Sequence, residues 1–129
     1  MHIPNYVSGL KGDFHAGVLG AAQHWHWRGG PAMLIGDTNM GLPGVDEETL
    51  VFGARALRLM RGVEEAEWTD AFRSLHAQRH EFTWYSPNGG NGFRLDEAFL
   101  YRSLMPRLRA TRDEWGSVEG SDGEERRAR

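Results

Sequence analysis

Apolar and polar positions follow two different periods along this chain, and polar chemistry gathers where the period changes. Between residues 13 and 27, Phe14, Val18, Ala21, Ala22 and Trp25 recur at helical spacing, with Asp13 placed to cap the first turn. That pattern predicts an amphipathic helix packed on a sheet. Residues 31 to 40, Pro-Ala-Met-Leu-Ile-Gly-Asp-Thr-Asn-Met, break the period. An apolar run bounded by Gly29, Gly30 and Pro31 on one side and Gly41 and Pro43 on the other reads as a short buried strand. A second helix is expected from Asp46 or Glu47 to about Arg61, with Leu50, Ala54 and Leu57 on one stripe and Gly62 as its stop. Trp68, Ala71, Phe72 and Leu75 predict a short helix over residues 67 to 76. Residues 81 to 86 and 93 to 101 are rich in β-formers, and Pro-Asn-Gly-Gly-Asn-Gly between them is hairpin punctuation. A brief helical turn interrupted by Pro106 and one more strand over residues 108 to 115 complete the ordered part. Beyond Gly116 the one aliphatic residue of any size is Val118, so residues 116 to 129 are expected to form a disordered polar tail.

Composition narrows the class. A chain of 129 residues holds one modest domain, and 40% hydrophobic with 26% charged residues describes a soluble globular protein. Cysteine is absent, which excludes disulfides and thiolate metal sites and fits a reducing compartment, so a cytoplasmic location is expected. No apolar segment reaches membrane-spanning length, and Met-His-Ile-Pro-Asn at the start does not resemble a signal peptide. The formal net charge of −3 gives no bulk attraction for nucleic acid, so a phosphate polyanion would need local groups or a bound cation. Every basic residue except Lys11 is arginine, which codon bias explains as simply as phosphate recognition.

Candidate chemistry begins where the strand after Pro31 stops. Asp37 and Asn39 project to one side if the extended backbone continues past Gly36, forming a polar pair at the carboxyl end of a strand, where ligands gather in helix-covered sheets. An Asx turn that merely ends the strand is the other reading of the same letters. His15, His24 and His26 have no acidic partner at ligand spacing, and the last two point to different sides of a helix, so they read as surface or core-edge residues. Asp96 lies in an otherwise apolar strand, and a carboxylate buried there without a partner would cost several kcal/mol.

Four separated pieces form a larger pattern: His2-Ile3-Pro4-Asn5, Gly36-Asp37-Thr38-Asn39, Trp68-Thr69-Asp70-Ala71-Phe72-Arg73 leading to Phe82-Thr83-Trp84, and Phe93-Arg94-Leu95-Asp96. In order and spacing they resemble the carboxyl-terminal half of the endonuclease/exonuclease/phosphatase superfamily, most nearly its exonuclease III and apurinic-site endonuclease branch. The resemblance covers residues 2 to about 115. It implies part of a four-layer α/β sandwich (α+β in older schemes) of two mostly antiparallel sheets flanked by helices, with residues 1 to 115 as a partial domain. It implies a Mg²⁺- or Mn²⁺-dependent phosphodiester hydrolase acting on nucleic acid or another phosphate ester. Asp37 would orient and deprotonate the attacking water and Asn39 would hold a phosphate oxygen or that water, both being tentative metal ligands. His2 and Asn5 would touch the phosphate, and Asp96 would pair with a histidine and fix its tautomer. Phe93 would line a sugar pocket, or be plain core, with Arg94 beside it among the substrate contacts.

The family's metal-binding glutamate and its closing Ser-Asp-His are not found in this chain, and Ser121-Asp122-Gly123 reads as coincidence. The expectation is therefore a piece of a larger enzyme, weakly active or inactive alone, with an uncovered sheet face inviting self-association. A small-ester phosphatase and a non-catalytic fragment are the alternatives.

Overall fold

The computed structural model describes residues 9–114 together with residues 117–119 and 125–127, and the side chains of residues 12–114. Helix α1, Gly9–Arg28, begins before Asp13, which lies inside it and caps nothing. A glycine inside a helix costs roughly 1 kcal/mol against alanine. Packing through Leu19, Ala22 and Trp25 outweighs that local cost at Gly12, Gly17 and Gly20. Gly29 and Gly30, with φ of 68° and 94°, turn the chain out of α1 into strand β1, Met33–Asp37.

Helix α2, Ala54–Glu65, starts and ends later than the hydrophobic stripe implied. Gly62 lies within it rather than stopping it, because a Cβ there would come within 2.6 Å of Leu19 Cδ1. It is the close-approach point of α1 on α2. Strand β2, Trp68–Asp70, replaces the first half of the helix expected over residues 67 to 76, and α3, Ala71–Leu75, supplies the second. Trp68 fixes that choice: its buried indole donates to the Ala22 carbonyl of α1 at 3.0 Å, and its backbone pairs with Tyr101.

The hairpin is present as β3, Trp84–Tyr85, and β4, Gly92–Phe93. The run expected as one strand from residue 93 to 101 breaks at Arg94 and Leu95 and resumes as β5, Asp96–Tyr101. Strands β1, β5 and β2 form an antiparallel sheet in that order. Pro106 sits in a short 3₁₀ turn, Met105–Arg107, and residues 108–114 contain no strand. Ser117–Glu119 (β6) and Glu125–Arg127 (β7) pair antiparallel within the polar stretch, where no strand was expected. Helices and antiparallel strands together make this a mixed α/β fold.

One face of the three-stranded sheet carries the core. Trp68, Phe99 and Tyr101 pack there with Leu34 against Ala22 of α1 and Ala56, Leu59, Met60 and Val63 of α2. On the other face Met33 is 51% and Ile35 60% exposed. Among the described residues no helix is long and apolar enough to cross a membrane.

Candidate active site at the end of the sheet

Register places the two carboxylates expected from the sequence side by side. Asp37, the last residue of β1, is the Cα partner of Asp96, the first residue of β5. Asp37 is half-buried and Asp96 exposed, so both reach solvent at the sheet's end. Beside Asp96 opens a cavity of about 580 Å³ lined also by Ile35, Gly36, Phe72, Thr111 and Arg112. Thr83 holds this end in place, its Oγ1 accepting from the backbone N–H groups of Leu95 at 2.9 Å and Asp96 at 3.2 Å.

Extended backbone does not continue past Asp37. Asn39 has φ of 49°, in the left-handed region that asparagine tolerates, and its N–H donates to Asp37 Oδ1 at 2.9 Å. The polar pair is therefore arranged as an Asx turn, and Asn39 is buried beneath it. Asp96 is exposed, so the concern that it needed a partner against burial does not arise. Its neighbour Glu97 is the buried acid of this strand, 3% exposed, because β5 turns Glu97, Phe99 and Tyr101 inward together.

Phe93 ends β4 and Arg94 follows it, ahead of β5. Phe93 is buried with its ring 5.6 Å from that of Phe52 and 5.9 Å from that of Trp84. Arg94 is also buried, and its guanidinium lies 3.6 Å from the Phe72 ring centroid and donates to both carboxylate oxygens of Asp113, at 2.7 and 3.2 Å. Phe93 packs in the interior, the second of the two readings its sequence context left open, whereas Arg94, though buried, lines the cavity beside Asp96 together with Asp113. His2 and Asn5 lie outside the described residues.

Sequence reasoning missed a second acidic group. Asp46 and Glu47, expected to open a helix, are buried in the loop before α2. Asp46 Oδ2 accepts from Leu42 N at 2.6 Å, and its Oδ1 takes Arg73 Nε at 2.8 Å and Nη2 at 2.5 Å. Glu47 accepts from the backbone N–H groups of Gly44, Val51 and Phe52. These acids organise a loop that would otherwise bury orphaned donors. Asp70 caps α3 by accepting from Arg73 N at 3.2 Å. Burial pushes the Asp70 carboxyl above its ordinary range, with Asp46 adding to the shift. Burial raises Glu97 well above that range, helped by Asp70 and then Asp46 and opposed by Arg94 and Thr38.

Oxygens of Asp46, Asp70 and Glu97 all lie within 4.8 Å of one another, a spacing that invites comparison with a metal site. The donor set does not fit one. Both Asp46 oxygens are already engaged, and a cation there would have to displace the Arg73 guanidinium. Asp37 and Asp96, which reach solvent, suit a hard cation that keeps several of its waters and takes one or two carboxylates.

No family model and no curated relative matches the chain. Solved structures do. A Neisseria 3′ phosphatase called NExo, a variant bound to a product DNA hairpin, superposes with a TM-score of 0.64 at 18% identity. A Neisseria meningitidis 3′-5′ exonuclease of the same name gives a TM-score of 0.66 at 19% identity. Over the aligned residues the chain shares the fold of these two structures. The alignments cover 74% and 77% of this chain but 42% and 43% of those neighbours, so the chain spans less than half the length of the structures it matches. The pairing of Asp37 with Asp96 across β1 and β5 thus belongs to a fold shared in part with these two structures.

Proposed function

We propose that this chain forms part of the active site of a divalent-metal-dependent phosphodiester hydrolase acting on DNA, of the endonuclease/exonuclease type. The observation that carries the reading is the pairing of Asp37 with Asp96 at a solvent-facing sheet end, on a fold shared with nucleases. Asp37 orients and deprotonates the attacking water, a task for an ionised carboxylate within hydrogen-bond reach. Asn39, fixed by the Asx turn, holds that water or a phosphate oxygen in line. Asp96 orients a histidine, and His2 and Asn5 add phosphate contacts. Mg²⁺, or Mn²⁺, held by Asp37 with Asn39 or Asp96 would supply charge neutralisation and polarise the phosphate. The local cation also answers the net charge of −3, which by itself repels a polyanion.

Hydrolysis of an abasic-site duplex, a 3′-phosphorylated duplex and a generic phosphodiester with Mg²⁺ tests the reading. Turnover is expected to be weak, because the chain spans 42–43% of the neighbours' length. Asp37→Asn is expected to lower it by about 10²–10⁴-fold. Activity that survives the substitution would refute the role given to Asp37.

A phosphatase acting on a small phosphate ester is the second reading, favoured by the 3′ phosphatase among the neighbours. Faster turnover of free sugar phosphates than of DNA ends would select it. Self-association through the sheet face bearing exposed Met33 is a further proposal, and size-exclusion chromatography giving a monomer at all concentrations would reject it.

A further inference from the structure

Helix α2 carries its charges the wrong way round for its own stability. A helix favours acids in its first turn and bases in its last, where they answer the partial charges of the backbone ends. In α2 the first turn holds Arg55 and no acid, and the last holds Glu64 and Glu65 and no base. Local helix stability therefore does not explain where these charges stand. Codon bias accounts for the abundance of arginine in the chain and equally leaves its placement unexplained.

The arginines of α2 form a row. Arg55, Arg58 and Arg61 follow one another at intervals of three residues, all exposed, on the side of the helix away from buried Ala56, Leu59, Met60 and Val63. At a rise of about 1.5 Å per residue they span about 9 Å of helix axis. Among the described residues no carboxylate pairs with any of the three, although Glu64 and Glu65 lie within about one turn of Arg61. Asp13, the acid of α1, does not reach them either. Arg79, Arg102 and Arg112, also at the surface, are paired with Glu81, Glu67 and Glu114. Like charges at helical spacing repel, so an anion beside the row relieves that repulsion as well as gaining contacts of its own.

Position ties the row to the sheet end that carries Asp37 and Asp96. Phe52, just before α2, packs its ring 5.6 Å from that of Phe93, which is followed by Arg94, Leu95 and Asp96. The other end of α2 leads to Trp68, whose strand partner is Tyr101 at the far end of β5. The row therefore starts toward the end where β1 and β5 set Asp37 against Asp96 and leads away from it.

We propose that the solvent side of α2 is a second contact surface for DNA, on which Arg55, Arg58 and Arg61 hold backbone phosphates of the duplex flanking the scissile bond. This rests on the reading of the chain as a DNA hydrolase and names where the rest of that substrate lies. A duplex carries one negative charge per about 1.7 Å of its axis, so a row of cations on a rigid helix meets a row of charge, whereas a small phosphate ester engages one arginine at a time. Guanidinium groups bind phosphate oxygens in bidentate fashion and keep their charge at any working pH. With a net charge of −3, attraction for a polyanion has to be local, and this row supplies it without a metal ion.

The test measures binding of the chain to a fluorescein-labelled blunt duplex by anisotropy, in EDTA so that no metal-dependent chemistry intervenes, over about 50 to about 200 mM salt. A variant carrying Arg55→Gln, Arg58→Gln and Arg61→Gln is expected to bind about tenfold or more weakly and to lower the slope of log K against log salt by about 1 per arginine. Arginine and glutamine have similar helix propensities, so this variant should keep the parent's circular dichroism. A control carrying Arg79→Gln, Arg102→Gln and Arg107→Gln removes the same charge elsewhere on the surface and should keep the parent's affinity and slope. In duplex hydrolysis the row variant should raise KM and leave kcat in place, because the row grips ground state and transition state alike.

A row variant with the parent's affinity and slope would overturn the proposal, as would a control that weakens binding as much, or a parent that binds no duplex at the lowest salt. A row that binds polyglutamate and leaves the duplex alone would make α2 a surface for an acidic protein instead. The Asp37→Asn assay bears on the reacting site alone: hydrolysis that survives it leaves the anisotropy result standing, and an indifferent row leaves the reacting site standing.

Discussion

Two groups of acids are built from the same sheet and are put to opposite uses. Asp37 and Asp96 are partners in register where β1 and β5 meet solvent. Oxygens of Asp46, Asp70 and Glu97 lie within 4.8 Å of one another in the interior, where Arg73 and backbone N–H groups answer both Asp46 oxygens and one of Asp70. Asp96 and Glu97 are adjacent in sequence, yet one strand step moves a carboxylate from water into the core. Adjacent acids in a strand are thus not interchangeable evidence for chemistry. The outer pair reaches solvent, whereas the inner cluster is committed to the loop and helix ends it holds.

Breaking the inner cluster should produce the largest change in stability. Arg73→Met removes the guanidinium from Asp46, which has no exposure at all, and leaves a buried charge without its cation. Loss of one partner from such a pair costs about 3–5 kcal/mol. Urea denaturation should show a midpoint lowered accordingly. A loss below about 1 kcal/mol, the scale of an exposed pair, would place Asp46 and Arg73 in solvent instead.

Thr83→Val sharpens the contrast at the outer end. The substitution keeps the shape and deletes the oxygen that accepts from the Leu95 and Asp96 N–H groups. Two backbone donors then lose their partner, for an expected cost of about 1–3 kcal/mol. Phosphodiester turnover should fall as well, because Asp96 loses the anchor of its backbone. An unchanged rate at reduced stability would separate Thr83 from the site.

Much of this was legible before the structure. The Asp37 strand, the hairpin around residues 87 to 91 and the turn at Pro106 announce themselves through glycine, proline and β-formers, which act locally. The resemblance singled out Asp37 and Asp96 separately, and the register of β1 on β5 sets them opposite each other. What stayed hidden depends on contacts distant in sequence. Gly62 looks like a helix stop until Leu19 is found against it, and the Trp68 strand reads as helix until its indole reaches Ala22. Asp46 and Glu47 carry a helix-start signal that the loop's unpaired N–H groups claim first. Glu97 had a readable cue: it shares parity with Phe99 and Tyr101, whereas Asp96 does not. Treating residues 93 to 101 as one unbroken strand obscured it.

Acidity should also distinguish the two groups. Glu97 and Asp70 have carboxyls raised above their ordinary values, chiefly by burial. In the native state they keep protons that the unfolded chain has already released. Stability therefore falls as pH rises from the ordinary carboxylate range through the raised values, and is recovered on acidification across that window. Thermal unfolding over this range should show a declining melting temperature. Glu97→Gln should flatten the decline, and a parallel profile in that variant would assign the titration elsewhere.

Asp96→Asn should change stability least while changing function. Its side chain is exposed, and substitutions at such positions usually fall within about 0.5 kcal/mol. Relief of the like charge of Asp37 across the strand pair pushes the change toward slight stabilisation, since like charges directly opposite each other in a sheet repel. On the proposed reading Asp96 belongs to the reacting site, so turnover should drop by about 10²-fold or more. Arg73→Met at the inner cluster should do the reverse, costing stability first. If Asp96→Asn instead lowered stability by several kcal/mol at full activity, Asp96 would belong with the structural acids, and the division between the two groups would fail at the residue that defines it.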